Sequence, residues 1–219
     1  MSALSPNLLV ALLGCAIPLI GCSGDGVDPG GGNMDSGVAT DGSSSPTDGS
    51  SDTPSDSGTG GAFALTSPTI TAGGTIPLTH VCTSKGGINL SPELAWTNPP
   101  AGTQSFAVIF YDKDNGNNGM FFHCSIYDIA GTATGLPADV DKLYAPADVP
   151  GAHTTPSFSN SRGWNGPCPP AVHNYEFTIF ALGTATAPGT TMATTNQQLY
   201  DAINGVALGT AKLTASFTP

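Results

Sequence analysis

The chain has 219 residues, of which 39% are hydrophobic and only 10% charged, a length that fits one domain with extensions or two very small domains. A net charge of −11 excludes a general nucleic-acid binder. That charge is uneven: residues 23–62 carry seven Asp and no Lys or Arg, whereas residues 63–219 hold nine acids and all five bases, which leaves that part near −4.

Leu8 to Ile20 is a 13-residue stretch without a charged side chain. A bilayer-spanning helix needs about 20 apolar residues, so this stretch is too short to cross, but it suits the apolar core of a secretory signal. It closes on Leu19-Ile20-Gly21-Cys22, which resembles the lipobox of bacterial lipoproteins. The resemblance implies a lipoprotein signal peptide over 1–21, lipid attachment at Cys22 and a chain exported and anchored in the cell envelope. The segment Met1–Asn7 departs from that pattern in having no Lys or Arg.

Residues 22–62 follow as a tether. Positions 23–62 contain 11 Gly, 9 Ser, 7 Asp, 4 Thr and 3 Pro. Such a segment buries too little apolar surface to offset the entropy of ordering, and disorder is expected. A Gly-rich coil of this length spans roughly 35 Å, and repulsion among the Asp residues extends it.

From Phe63 onward, short apolar runs alternate with Gly, Pro and Asn turns, the pattern of a β-rich domain. Strands are predicted at Ser105–Tyr111, Phe121–Tyr127, Tyr175–Leu182 and Lys212–Thr218. A helix is predicted at Thr195–Asn204, where Leu199, Ala202 and Ile203 share a face and Gly205 stops it. A β-sandwich with one or two short helices near the C-terminus is the expected architecture.

No GxSxG, HExxH, P-loop or dinucleotide fingerprint occurs, and neither a catalytic residue nor a cofactor or metal is expected. The informative side chains lie where strands end. Asp112 and Asp114 are spaced i, i+2 at the end of a buried run, which predicts that both carboxylates point into one cavity. An EF-hand reading fails, because Gly116, Asn117 and His123 fall at loop positions five, six and twelve. His123 interrupts a strand, while His173 and Tyr175 emerge on one face of another strand, just after the rigid loop Gly166-Pro-Cys-Pro-Pro170. Imidazolium and phenol donors suit an anion, and carboxylates can orient the imidazoles.

The order of these groups resembles the phosphatidylethanolamine-binding protein family, in its bacterial Raf-kinase-inhibitor-like branch. The similarity is carried by Ile76-Pro77 through Cys82, Asn89-Leu-Ser-Pro-Glu-Leu-Ala-Trp96, Pro100–Phe106, Asp112-Lys113-Asp114, His123, Gly166–Pro170 and His173-Asn174-Tyr175. It covers 63–219. It implies a Greek-key β-sandwich whose small pocket, lined by Asp112, Asp114, His123, Pro170, His173 and Tyr175, takes a phosphate-like anion, with the backbone near Cys168 donating to it. The ligand implied is a small anion or a phospholipid head group. Alternatives are a proteinaceous inhibitor, whose target outside the cytoplasm is a serine protease rather than a kinase, and a small hydrolase using His173 or His123 as base. Lys113 departs from the family, standing where a proline separates the two aspartates.

Export also places Cys82, Cys124 and Cys168 in an oxidising compartment, where one pair can form. Strand alternation turns Cys124 away from the face of His123 and into the core as a free thiol. The two loop cysteines, Cys82 and Cys168, are the expected pair, with three separate thiols as the alternative. For the anchor, Cys22→Ala is expected to release the protein from membranes and to abolish the acyl mass increment; a variant that still fractionates with membranes, beside a wild type without acyl mass, overturns the assignment.

Overall fold

Two runs that are apolar without alternation, 105–112 and 173–182, form the central strands of the larger sheet, since a strand covered on both faces has no polar side. The computed structural model describes residues 61–115 and 120–219, all within a unit that runs from Ser55 to Pro219. The signal peptide, Cys22 and the tether up to residue 60 lie outside the described residues. The described strands are β1 (Ala64–Thr66), β2 (Leu94–Thr97), β3 (Ser105–Asp112), β4 (Phe121–Ala130), β5 (Gly135–Leu136), β6 (His153–Thr154), β7 (His173–Leu182) and β8 (Ala207–Phe217), with α1 (Asn196–Asn204) between the last two.

The strands form two antiparallel sheets, one ordered β1-β2-β5 and the other β6-β4-β3-β7-β8. Residue alternation sorts the large sheet into two faces. Phe106, Val108 and Phe110 of β3 and Tyr175, Phe177 and Ile179 of β7 pack with Leu94, Trp96 and Leu136 of the small sheet. Ala107, Ile109, Phe180 and Leu182 face the other way and bury Leu199 and Ile203 of α1. The predicted architecture is therefore the observed one, a mainly β fold of two sheets with one α-helix near the C-terminus. The helix starts on a capping box, Thr195 accepting from the Gln198 amide while the Gln198 side chain accepts from Thr195 N–H. Gly205 ends it in a right-handed conformation (φ −87°).

β4 breaks the alternation on which the sequence reading relied. Its pairing with β3 shifts register between Phe110 and Tyr111, so that Phe122 opposes Tyr111 and Cys124 opposes Phe110. His123 is the extra residue of this bulge, and a bulge sends neighbouring side chains to the same side of the strand. The expected separation of His123 and Cys124 onto opposite faces is thus corrected: both lie on the Phe110 side. The His123 ring is 5.3 Å from that of Phe110. Cys124, a free thiol, packs against the inner core and lines a cavity of about 50 Å³ with Phe110, Trp164 and Phe177. Burial pushes its thiol up to about 12, so it stays protonated and inert.

Polar burial on the outer face centres on Glu176. Its carboxylate accepts from Tyr111 Oη and from Thr178 Oγ1 at 2.9 Å, and it pairs with Lys212 Nζ at 2.7 Å and Lys113 Nζ at 3.4 Å. Burial alone would push the carboxyl up, but the Lys212, Tyr111 and Thr178 hydrogen bonds win and hold it at about 2. A depressed carboxyl contributes stability above its ordinary value and loses it as the pH falls through the folded value. Stability is therefore expected to drop between about pH 4.5 and about pH 2, by up to roughly 3 kcal/mol before solvent screening at the exposed lysines. Acid titration of the unfolding free energy checks this, and Glu176→Gln should flatten the curve in that window.

Candidate functional site

The β3–β7 register assembles the site. Asp112 at the end of β3 opposes Tyr175 on β7, and His173 stands two residues before Tyr175 on the same face. His173 Nδ1–H donates to Asp112 Oδ2 at 2.6 Å. Asp112 is 2% exposed, and its other oxygen accepts the Asp114 N–H at 2.9 Å, closing the turn after the strand. The bulge of β4 delivers His123 to the same place, its ring 5.5 Å from that of Tyr175 and edge-on to it. Phe110 lies beneath both, 5.6 Å from the Tyr175 ring and parallel to it within 25°.

Each imidazole is held by its Nδ1. A carboxylate fixes that of His173, and the Asn165 carbonyl fixes that of His123 at 2.7 Å. His123 is 3% exposed, and burial lowers its pKa, outweighing the Asn165 hydrogen bond and the nearby charge of Asp112. The imidazole is therefore neutral at pH 7. Tyr175 is 1% exposed, and its hydroxyl has no hydrogen-bond partner. Burial, then the charge of Asp112 and a longer hydrogen-bonding interaction with that carboxylate, push its pKa up, so it remains a neutral O–H. A buried hydroxyl without a partner costs stability, and it is the unsatisfied group of this cluster.

Four of the predicted residues, Asp112, His123, His173 and Tyr175, come together in this way. Asp114 stays within electrostatic range of Tyr175 but binds elsewhere. Its carboxylate turns to Asn174, accepting from the backbone N–H at 2.6 Å and the side-chain amide at 2.8 Å, and those bonds lower its pKa. The i, i+2 argument fails because the strand ends at Asp112, so Asp114 sits in a turn where alternation no longer applies. Cys168 and Pro170 are exposed on the loop that supplies the Asn165 carbonyl.

That loop is anchored at four points. Trp164 Nε1 donates to the His80 carbonyl at 3.0 Å, Gly166 N–H donates to Asn89 Oδ1 at 2.8 Å, and Cys82 N–H donates to the Pro167 carbonyl at 3.1 Å. The fourth anchor is the expected disulfide, Cys82–Cys168, with Cα atoms 5.5 Å apart. Glycine is required at 166, because a Cβ there would stand 2.1 Å from the His80 carbonyl oxygen. Asn165 and Phe158, whose ring is 5.3 Å from that of His123, were not anticipated from sequence. Asn165 acts through its backbone, which no residue type announces, and the three serines and asparagine around Phe158 read as ordinary loop. Among the described residues no group of three or more His, Cys, Asp or Glu is placed to hold a metal ion.

A family model described as phosphatidylethanolamine-binding protein matches residues 66–218. The chain is similar to YbcL of Escherichia coli, 35% identical over 132 residues, which are 58% of this chain and 72% of that protein. It is also similar to LppC of Mycobacterium tuberculosis, named as a candidate lipoprotein, at 33% over 158 residues, 70% of this chain and 71% of that one. The crystal structure of YbcL, described as a new member of the mammalian PEBP family, aligns with a TM-score of 0.65 at 31% identity over 72% of this chain and 98% of that one.

The disulfide joins positions 86 residues apart, and closing a loop of that size stabilises by about 4.6 kcal/mol in the chain-entropy model. Cys168→Ser is expected to lower the unfolding free energy by about 2–4 kcal/mol. Urea denaturation of wild type with and without reductant checks this, and reduced wild type should match the variant.

Proposed function

Because this chain belongs to the phosphatidylethanolamine-binding protein family, we propose that its folded part is a binding module for a small phosphate-bearing anion rather than an enzyme, held at the cell envelope by lipid on Cys22. The observation that carries the reading is the buried, unpartnered hydroxyl of Tyr175 beside two imidazoles whose Nδ1 atoms are already committed. Such a hydroxyl is a donor waiting for an acceptor, and an anion oxygen is the acceptor that gains most. Free phosphate and a phospholipid head group both present that chemistry.

Binding is favoured over catalysis by what surrounds the cluster. It contains no serine or cysteine to act as nucleophile, and the thiol of Cys124 is held protonated. Two carboxylate–imidazole and carbonyl–imidazole pairs give rigidity, which is what a preorganised binding site needs. The envelope location is supported by the Leu19-Ile20-Gly21-Cys22 sequence and by similarity to LppC, itself named as a candidate lipoprotein.

Tyr175→Phe tests the reading, because ligand and fold respond in opposite directions. Removing an unsatisfied buried hydroxyl is expected to raise the stability of the ligand-free protein by about 1 kcal/mol. Calorimetric titration of the full chain in detergent with inorganic phosphate should nevertheless show affinity weakened at least tenfold, and His173→Ala should show the same loss. Equal phosphate affinity in all three proteins overturns the site.

A further inference from the structure

The Cys82–Cys168 bridge lies at the surface of the domain. Cys168 is exposed and Cys82 half-buried, so a thiol in solution reaches the bond from the Cys168 side without unfolding the chain. Ser84 lies against both sulfurs, its Oγ 2.9 Å from Cys168 Sγ and 3.3 Å from Cys82 Sγ. Neither sulfur of a disulfide carries a hydrogen, so the hydroxyl is the donor in both contacts. A disulfide sulfur is a weak acceptor and a thiolate is a charged one, so a hydroxyl held at this place gains most at the moment the bond breaks.

We propose that this bridge is an exchange site for an external dithiol, with Ser84 as the donor to the leaving sulfur. A thiolate of the dithiol attacks Cys168 Sγ. Its sulfur bonds to Cys168 while the S–S bond breaks, and the electron pair of that bond departs on Cys82 Sγ. Ser84 then donates to the Cys82 thiolate, and a leaving thiol whose anion is stabilised departs faster. The second thiol of the reductant, deprotonated, attacks its own partner sulfur in the mixed disulfide and releases Cys168 as a thiolate. Both cysteines take up the protons that the dithiol gave to solvent, so the bridge gains two electrons and two protons and the dithiol becomes a disulfide. Opening bears on the candidate site whatever ligand that site takes. The bridge sits between Asn165, whose carbonyl holds His123, and His173, which begins β7. The hydrogen bonds to His80, Asn89 and Pro167 still hold the start of the loop once the bond is open, while Cys168 and the exposed Pro170 and Val172 lose their covalent anchor.

The test uses the folded full chain in detergent, with dithiothreitol as the dithiol and glutathione as a monothiol, quenched by alkylation and read by mass spectrometry. Reduction is expected without denaturant and with little change in low urea. A rate that climbs with urea as the unfolding equilibrium does overturns the proposal, because the bond is then reached only in the unfolded chain. Glutathione is expected on Cys168, and a mixed disulfide on Cys82 overturns the direction of attack. Ser84→Ala is expected to slow reduction about fivefold, the worth of one hydrogen bond, and Ser84→Thr to keep the wild-type rate; equal rates in all three overturn the role of Ser84. Nitrogen-15 NMR of the histidine rings reads the site. Upon reduction the His123 signals are expected to shift while those of His153 on β6 stay in place, and unmoved His123 signals overturn the link between bridge and site.

Discussion

The antiparallel pairing of β3 with β7 is the constraint on which the rest of the structure depends. Eight consecutive residues pair without a shift, from Ser105 opposite Leu182 to Asp112 opposite Tyr175. Both strands are buried on both faces over most of that length. A slip of one residue would exchange every side chain between the sandwich core and the helix-covered face, so the register has strong support from packing. That register also delivers the chemistry, since its last pair brings the Asp112 carboxylate within reach of His173 and Tyr175.

The two buried carboxylates at this end of the sheet meet the cost of burial in different ways. Glu176 points to the outer face and recruits two lysines whose ammonium groups remain in water, with Tyr111 and Thr178 completing its shell. Asp112 points to the inner face, where no long cation reaches it, and is served by a histidine and a backbone amide. The first arrangement is closed and serves stability. The second gathers two imidazoles and the Tyr175 phenol around one carboxylate, which is what makes this end of the sheet the candidate site.

Most of the frame was legible because it rests on local pattern. The long apolar runs at 105–111 and 175–182 follow from hydropathy and the helix at 195–204 from its apolar face, while the Cys82–Cys168 pair was one of the alternatives that the loop positions of these cysteines left open. The small sheet was not legible, since β1 and β5 are three and two residues long and carry no period, and the two-residue edge strand β6 of the large sheet escaped for the same reason. The site was half legible. Asp112, His173 and Tyr175 follow from alternation, whereas His123 arrives by a bulge that contains no glycine to announce it, and the Asp114 carboxylate lies past the end of a strand, where alternation does not say which way it turns. The Asn165 carbonyl, which decides the His123 tautomer, belongs to the backbone and has no signature in residue identity.

The cavity behind Phe110 has a consequence of its own. Its lining is mostly apolar, from Leu94, Val108, Ile126, Leu136 and Val140 to the rings of Phe110, Trp164 and Phe177. Unfolding abolishes it, so the native state is the bulkier one, and hydrostatic pressure works against it. Part of that void lies against Phe110, the ring that packs against both His123 and Tyr175, so compression there bears on the side chains of the candidate site.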